Sequence, residues 1–297
     1  MKYRMQIEAL KITRERIVQD AIRFPDLNSQ VYALASSVIE EFLGWHWRRH
    51  FLGTDANDPF FRMDKLECEA DVTIARTVSL GEMLLNLQDV EGFEDCLKRL
   101  KSGTRPDDTY CEFEVGKLLR MRGRPFRFVE SSGSLGNDYD IEMFWPDGKT
   151  VPVETKCKLD STTLSTKTVR DTLERARTQL PKSGKGFIFL KVPQGWVLEG
   201  RTFKTDALEM LEACAEGLLA RTSRVVSVKI YSHYILQKPP FVGSGYVVHE
   251  VPSCKDPLQE NWPIFEKATI SSISPTWLDF FHFTEGQMIP MESPKTT

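Results

Sequence analysis

The chain has no excess of positive charge. Its 297 residues carry 39 lysines and arginines against 42 aspartates and glutamates, a net charge of −3. That excludes the chain-wide basic signature of many nucleic-acid binders. Paired cysteines are also missing. Cys68, Cys96, Cys111, Cys157, Cys214 and Cys254 show no C-x-x-C spacing and no neighbouring histidine in a zinc pattern, so they read as reduced, buried thiols. No apolar run approaches the roughly 18–20 residues of a membrane span. The opening MKYRMQIEALKITRER is charged where a signal peptide would be apolar. A cytoplasmic protein with no membrane partner is expected. There is no internal repeat, no Gly-x-Ser-x-Gly elbow and no nucleophilic serine or cysteine constellation, which argues against covalent triad chemistry.

What is present is unevenly placed. Residues 101–192 hold 17 basic against 13 acidic side chains, whereas residues 1–100 hold 13 against 17. A polyanion would therefore favour the middle of the chain. The first hundred residues have helical periodicity. Asn28 to Arg49 places Val31, Leu34, Val38, Phe42 and Trp45 at helical spacing, and Arg76 to Lys101 does so with Leu80, Met83, Leu84, Leu87, Phe93, Leu97 and Leu100. A boundary is expected near Gly103. His46-x-x-x-His50 has zinc-ligand spacing but no third ligand nearby, and reads as a packed helix surface.

From Asp107 the pattern changes. An amphipathic helix closes at Gly123, then RPFRFVES reads as a strand and SSGSLGN as a mobile loop. DYDIEMFW and KTVPVETKCK form strands joined by a turn at Pro146-Asp147-Gly148. A helix from about Thr166 to Leu180 precedes the apolar strand KGFIFLKVP, and a further helix (about Thr205 to Ala220) and two strands extend the sheet. The expected class is α/β. A helical domain (1–104) precedes an αβββαβ core with a mixed sheet (105–255), and residues 256–297 form an extension with a disordered tail over the last dozen residues.

Chemistry concentrates on Glu154-Thr155-Lys156. Alternation puts Glu154 and Lys156 on one strand face. The tripeptide alone carries little, since Asp147-Gly148-Lys149 repeats it inside a turn. Context adds weight. Asp140 opens the preceding strand, and the hairpin brings it back beside Glu154. Asp138 and Glu142 extend an acidic row on Asp140's face, and Glu112 and Glu114 lie on the preceding helix. Hard divalent cations accept two or three carboxylates and keep waters.

This ordered set resembles the PD-(D/E)XK nuclease superfamily, the restriction-endonuclease-like proteins, over roughly Asp107 to Pro193. The resemblance rests on Glu112 eleven residues before Gly123, on Asp140 at a strand start, and on Glu154-x-Lys156 on the next strand, followed by a polar helix bearing Arg170, Arg175 and Gln179. No proline precedes Asp140, so Asp138 competes with it. Asp140 is preferred because apolar Ile141 and Met143 follow. Glu112 is preferred over Glu114. The resemblance implies a catalytic set of Asp140, Glu154, Lys156 and Glu112. Mg²⁺ or Mn²⁺ would be held by Asp140, Glu154, the Thr155 carbonyl and Glu112, and nucleic-acid phosphates would meet Arg170, Arg175 and Gln179. It implies a DNA endonuclease of restriction, phage defence, mobile elements or repair. A homodimer or a partner protein would dock through the helical domain. An RNA-directed nuclease and a non-catalytic nucleic-acid-binding scaffold on the same fold are the alternatives.

Overall fold

The computed structural model describes residues 5–52, 67–102, 106–130, 133, 136, 138–145, 148–159, 161–198, 202–238, 241–255 and 277–286, with backbone only at 67–73, 235–238 and 241–244. The expected boundary at Gly103, the Pro146-Asp147 turn, most of the 131–137 loop and the 287–297 tail lie outside them. In chain order the elements are α1 (Ile7–Gln19), α2 (Leu27–Leu43), α3 (Trp45–Phe51), α4 (Glu67–Leu87), α5 (Phe93–Ser102), α6 (Pro106–Met121), β1 (Phe126–Phe128), β2 (Ile141–Phe144), β3 (Thr150–Cys157), α7 (Thr166–Gln179), β4 (Gly186–Lys191), β5 (Val197–Leu198), β6 (Thr202–Phe203), α8 (Thr205–Leu219), β7 (Val225–Lys238), β8 (Phe241–Pro252) and α9 (Phe280–Thr284). The protein is α/β, with a mixed six-stranded sheet. No helix among the described residues is long and apolar enough to cross a membrane.

Two compact units divide the chain. One comprises Met1–Thr104, Ile235–Ser244 and Ser272–Thr297, the other Arg105–Tyr234 and Gly245–Ser271. In the first, α2 carries the core, burying Val31, Leu34, Val38, Ile39 and Phe42 along one stripe. A reciprocal cap of Asp26 and Ser29 opens it. The helix expected to run from Asn28 to Arg49 breaks instead at Gly44, whose φ of 90° no helix accommodates. The helix expected over Arg76 to Lys101 is likewise two, α4 and α5. The chain's far end returns to this unit. Buried Glu82 accepts hydrogen bonds from Trp277 Nε1 at 3.3 Å and Phe280 N–H at 3.1 Å, and Asn86 accepts from Leu278 N–H at 2.8 Å. Residues 277–286 are thus tied to α4 within the first unit.

In the second unit the strands lie in the order β1-β2-β3-β4-β7-β8. β1–β2 and β2–β3 are antiparallel, and β3–β4 and β4–β7 parallel. The parallel β3–β4 pair needs a crossover, and α7 supplies it. Ile188, Leu190, Val228 and Ile230 join Val169, Leu173 and Ala176 of α7 and Leu211, Ala215 and Leu218 of α8 in one apolar core. α6 packs on β3, and Phe113 meets Phe128 edge-on at 5.5 Å. The sheet's junction with α7 is tight. A Cβ on Gly186 would stand 2.6 Å from Pro152 O and 2.8 Å from Leu180 Cδ2. Both neighbours are fixed, one by the sheet and one by full burial. Gly186→Ala is therefore expected to destabilise the protein by about 1–3 kcal/mol, read as a lowered melting temperature by circular dichroism. An unchanged melting temperature would show that β3 and β4 do not approach so closely.

Candidate metal and phosphate site

The site forms where β3 changes partners. Its first half, Thr150 to Val153, pairs with β2, and from Val153 to Cys157 it pairs with β4. β2 begins at Ile141, opposite Val153. Beyond that point, among the described residues, no strand lies beside the β2-side edge of β3, and its backbone groups need other partners. Asp140 provides one. Its Oδ2 accepts from both Thr155 N–H and Thr155 Oγ1–H, each at 2.7 Å. Asp140 is itself held by its backbone, donating to Val153 O at 3.2 Å and accepting from Val129 N–H at 2.9 Å.

Glu154 and Lys156 lie in register with Ile188 and Leu190, residues of the α7–α8 core. Residues in register share a face of the sheet. A carboxylate planted there loses water, and Glu154 is fully buried. Its Oε1 is engaged by the Lys156 ammonium. Its Oε2 is buried with no hydrogen-bond partner among the described residues. Burial, then the negative charge of Asp140, push the Glu154 carboxyl up to about 9, against the opposing pull of Lys156, with Glu112 adding to the rise. Burial also works against the Lys156 ammonium. Glu154, Asp140 and Asp108 outweigh it and hold Lys156 above the usual lysine range. We take Lys156 as the ammonium, since it is partly exposed and faces three carboxylates. The site as a whole binds protons more tightly than carboxylates in water.

The two glutamates of α6 part company. Glu112 adds its charge to the Glu154 field. Glu114 is fully buried in a separate network, 2.6 Å from Lys191 Nζ and 3.6 Å from His233 Nδ1, with the Tyr246 and Tyr231 hydroxyls donating at 3.3 and 3.5 Å. The expected acidic row is not continuous. Glu142 is drawn to Arg127 at 2.6 Å and accepts from Tyr139 Oη at 3.0 Å. Asp138 accepts from Gly133 N–H at 3.0 Å. On α7, Gln179 Nε2 donates to Asp138 O at 3.3 Å, and the charge of Arg175 acts on Lys158. The charge of Arg170 acts on the Cys214 thiol of α8. The residues that sequence reasoning missed are Asp108 and Lys158. Lys158 had a signal, since it repeats the spacing from Glu154 to Lys156. Lys191 had a weaker one, as a charge closing an otherwise apolar strand.

Among the described residues, no three carboxylate, imidazole or thiol groups converge into a ready-made metal cluster. What fits a cation is narrower: a buried carboxylate oxygen without a partner and a local field that retains a proton. Both suit a hard divalent ion bound by few carboxylates and by water. They do not suit a closed three-ligand cage.

Two expected outcomes follow from the burial of these charges. Without divalent metal, Glu154 keeps its proton in the folded chain up to about pH 9, whereas the unfolded chain loses it near the ordinary carboxylate value of 4.5. The resulting stability is present in full below the lower value and drains away as pH rises through the higher one. Melting temperatures from pH 5 to pH 9 are expected to fall more steeply for wild type than for Glu154→Gln, and parallel profiles would show that Glu154 is not protonated. Glu114→Ala would strand the buried Lys191 ammonium and is expected to cost about 3–5 kcal/mol in urea unfolding. A loss below about 1 kcal/mol would mean that water already reaches the pair. Comparison with known proteins finds no matching family model, no matching curated protein and no matching solved structure.

Proposed function

We propose that the chain is a metal-dependent nuclease of the PD-(D/E)XK type, hydrolysing phosphodiester bonds, with DNA as its substrate. The observation that carries this reading is the partnerless, buried Glu154 oxygen beside Asp140 and Lys156, at the point where β3 leaves β2. The order α6-β1-β2-β3-α7-β4 supports it, because it is the order the resemblance requires.

Asp140 and Glu154 would hold Mg²⁺ or Mn²⁺, with the Thr155 carbonyl and Glu112 completing the shell directly or through water. The bound ion would polarise the phosphodiester and lower the pKa of a water ligand. The chain's own groups do the rest. Thr155, hydrogen-bonded twice to Asp140, fixes that carboxylate in orientation. Lys156, anchored on Glu154, presents an ammonium that orients the attacking water and offsets charge gathering on the phosphate. The apolar core beneath Glu154 keeps water out and strengthens each of these interactions.

Calorimetric titration with Mn²⁺ tests the reading, alongside cleavage of plasmid DNA and of RNA. Wild type is expected to bind Mn²⁺, and Asp140→Ala and Glu154→Ala to lose it. Lys156→Ala is expected to keep the metal and lose cleavage by about 10²-fold or more. A wild-type protein that binds no Mn²⁺ in the presence of nucleic acid, or alanine variants that bind it equally well, would overturn the proposal. Cleavage of RNA alone would move the substrate and keep the chemistry.

A further inference from the structure

The short helix α3 reads Trp-His-Trp-Arg-Arg-His-Phe. Its two tryptophans have opposite surroundings. Trp47 is 6% exposed and anchors the helix, its indole Nε1 donating to Leu100 O of α5 at 3.0 Å and its ring meeting Phe51 at 4.6 Å. Trp45 is 48% exposed. His46, Arg49 and His50 are exposed with it. Side chains four apart on a helix are neighbours, so Trp45 with Arg49 and His46 with His50 form one outward face. The packed surface expected around the two histidines is the side of Trp47 and Phe51 alone.

Trp45 is held among cations. The Arg49 guanidinium lies over its ring, 5.2 Å from the centroid, and the His46 ring meets it edge-on at 5.4 Å. Arg48, one residue along, is matched by Glu40 at 2.9 Å. Arg49 makes no ion pair among the described residues. α3 itself carries no acid, whereas α1, α2, α4 and α5 of the same unit each carry at least two. The outward face of α3 is therefore a cationic patch with one flat aromatic surface in it.

An acidic peptide would match the cations and leave the indole unused. A lipid surface would need several apolar side chains together, and Trp47 and Phe51 are buried. A single-stranded nucleic acid uses both features, because each nucleotide brings an anion and a planar base. A duplex does not, since its bases are already stacked on one another. We propose that this face of α3 binds single-stranded nucleic acid, with an unpaired base stacked against Trp45 and a flanking phosphate held by Arg49. A guanidinium above an aromatic ring keeps its in-plane N–H donors for the phosphate. The inference goes beyond the nuclease reading and does not rest on it.

The test is fluorescence anisotropy of labelled oligothymidylate and oligouridylate, titrated with the full chain in EDTA over a range of salt. Wild type is expected to bind at least one of them more tightly than a duplex of the same length. Trp45→Ala is expected to weaken that binding by about 5- to 150-fold with the salt dependence unchanged. Trp45→Phe should recover most of the loss, because it restores an aromatic face. Arg49→Gln should instead lower the slope of log affinity against log salt by about 0.7, and Lys98→Gln on α5 should leave it unchanged. These side chains are at the surface, so melting by circular dichroism should not move. Equal affinities in Trp45→Ala and wild type, an equal loss toward the duplex in Trp45→Ala, or a wild type that binds no single strand would overturn the proposal. So would a Trp45→Ala that loses binding to vesicles of phosphatidylserine and phosphatidylcholine while its oligonucleotide affinities stay the same, which would make the face a membrane surface. Every readout is made without metal, so Mn²⁺ calorimetry tests the nuclease reading by itself and the two ideas fail separately.

Discussion

A strand can have only one neighbour on each side, and the candidate site follows from the residue at which β3 stops sharing its β2-side edge. Up to Val153 the antiparallel ladder with β2 satisfies that edge. From Thr155 onward a side chain must do so, and Asp140 does. The hydrogen bond thus has two effects. It satisfies an amide that would otherwise be left unpaired at the end of the ladder, and it brings a carboxylate up to Glu154. Had β2 begun two residues earlier, backbone would fill this edge and Asp140 would have no reason to turn toward Thr155.

Glu114 and Glu154 show how burial and partners divide similar groups into different roles. Both carboxylates are fully buried. Glu114 is surrounded by a lysine, a histidine and two tyrosine hydroxyls, a set able to match its charge and its lone pairs. Glu154 has one lysine and two neighbouring acids, and one of its oxygens has no partner. A matched buried network gives rigidity. An unmatched one stores a demand that a proton or a cation can meet, and such groups collect where chemistry is done.

The strands and the crossover helix were legible because period-2 and period-3.6 patterns record which face is buried, and burial dominates local structure. The placement of Asp140 near Glu154 was legible for the same reason, since a short hairpin leaves little choice of register. Pairing was not legible. Nothing in the sequence near Glu142 says that Arg127, on another strand, will take it from the acidic row. Arg170, Arg175 and Gln179 share a helix, and helical spacing alone cannot say that Gln179 will donate to the Asp138 carbonyl 41 residues away. The seat of Trp277 on Glu82, 195 residues away, is a tertiary choice with no local trace. Gly44 could have been read. A glycine followed at once by Trp-His-Trp marks a possible break, but the run of apolar residues on both sides masked it.

The charges around β3 make a joint argument that none of them makes alone. Burial, then the charge of Asp140 and more weakly that of Glu112, holds a proton on Glu154 against the pull of Lys156. Burial, then the charge of Arg175, lowers the Lys158 ammonium. A cation alone would relieve the first group and leave the second strained. An anion alone would relieve the second and worsen the first. On the proposed nuclease reading, a divalent cation carrying a phosphodiester would meet both demands at once.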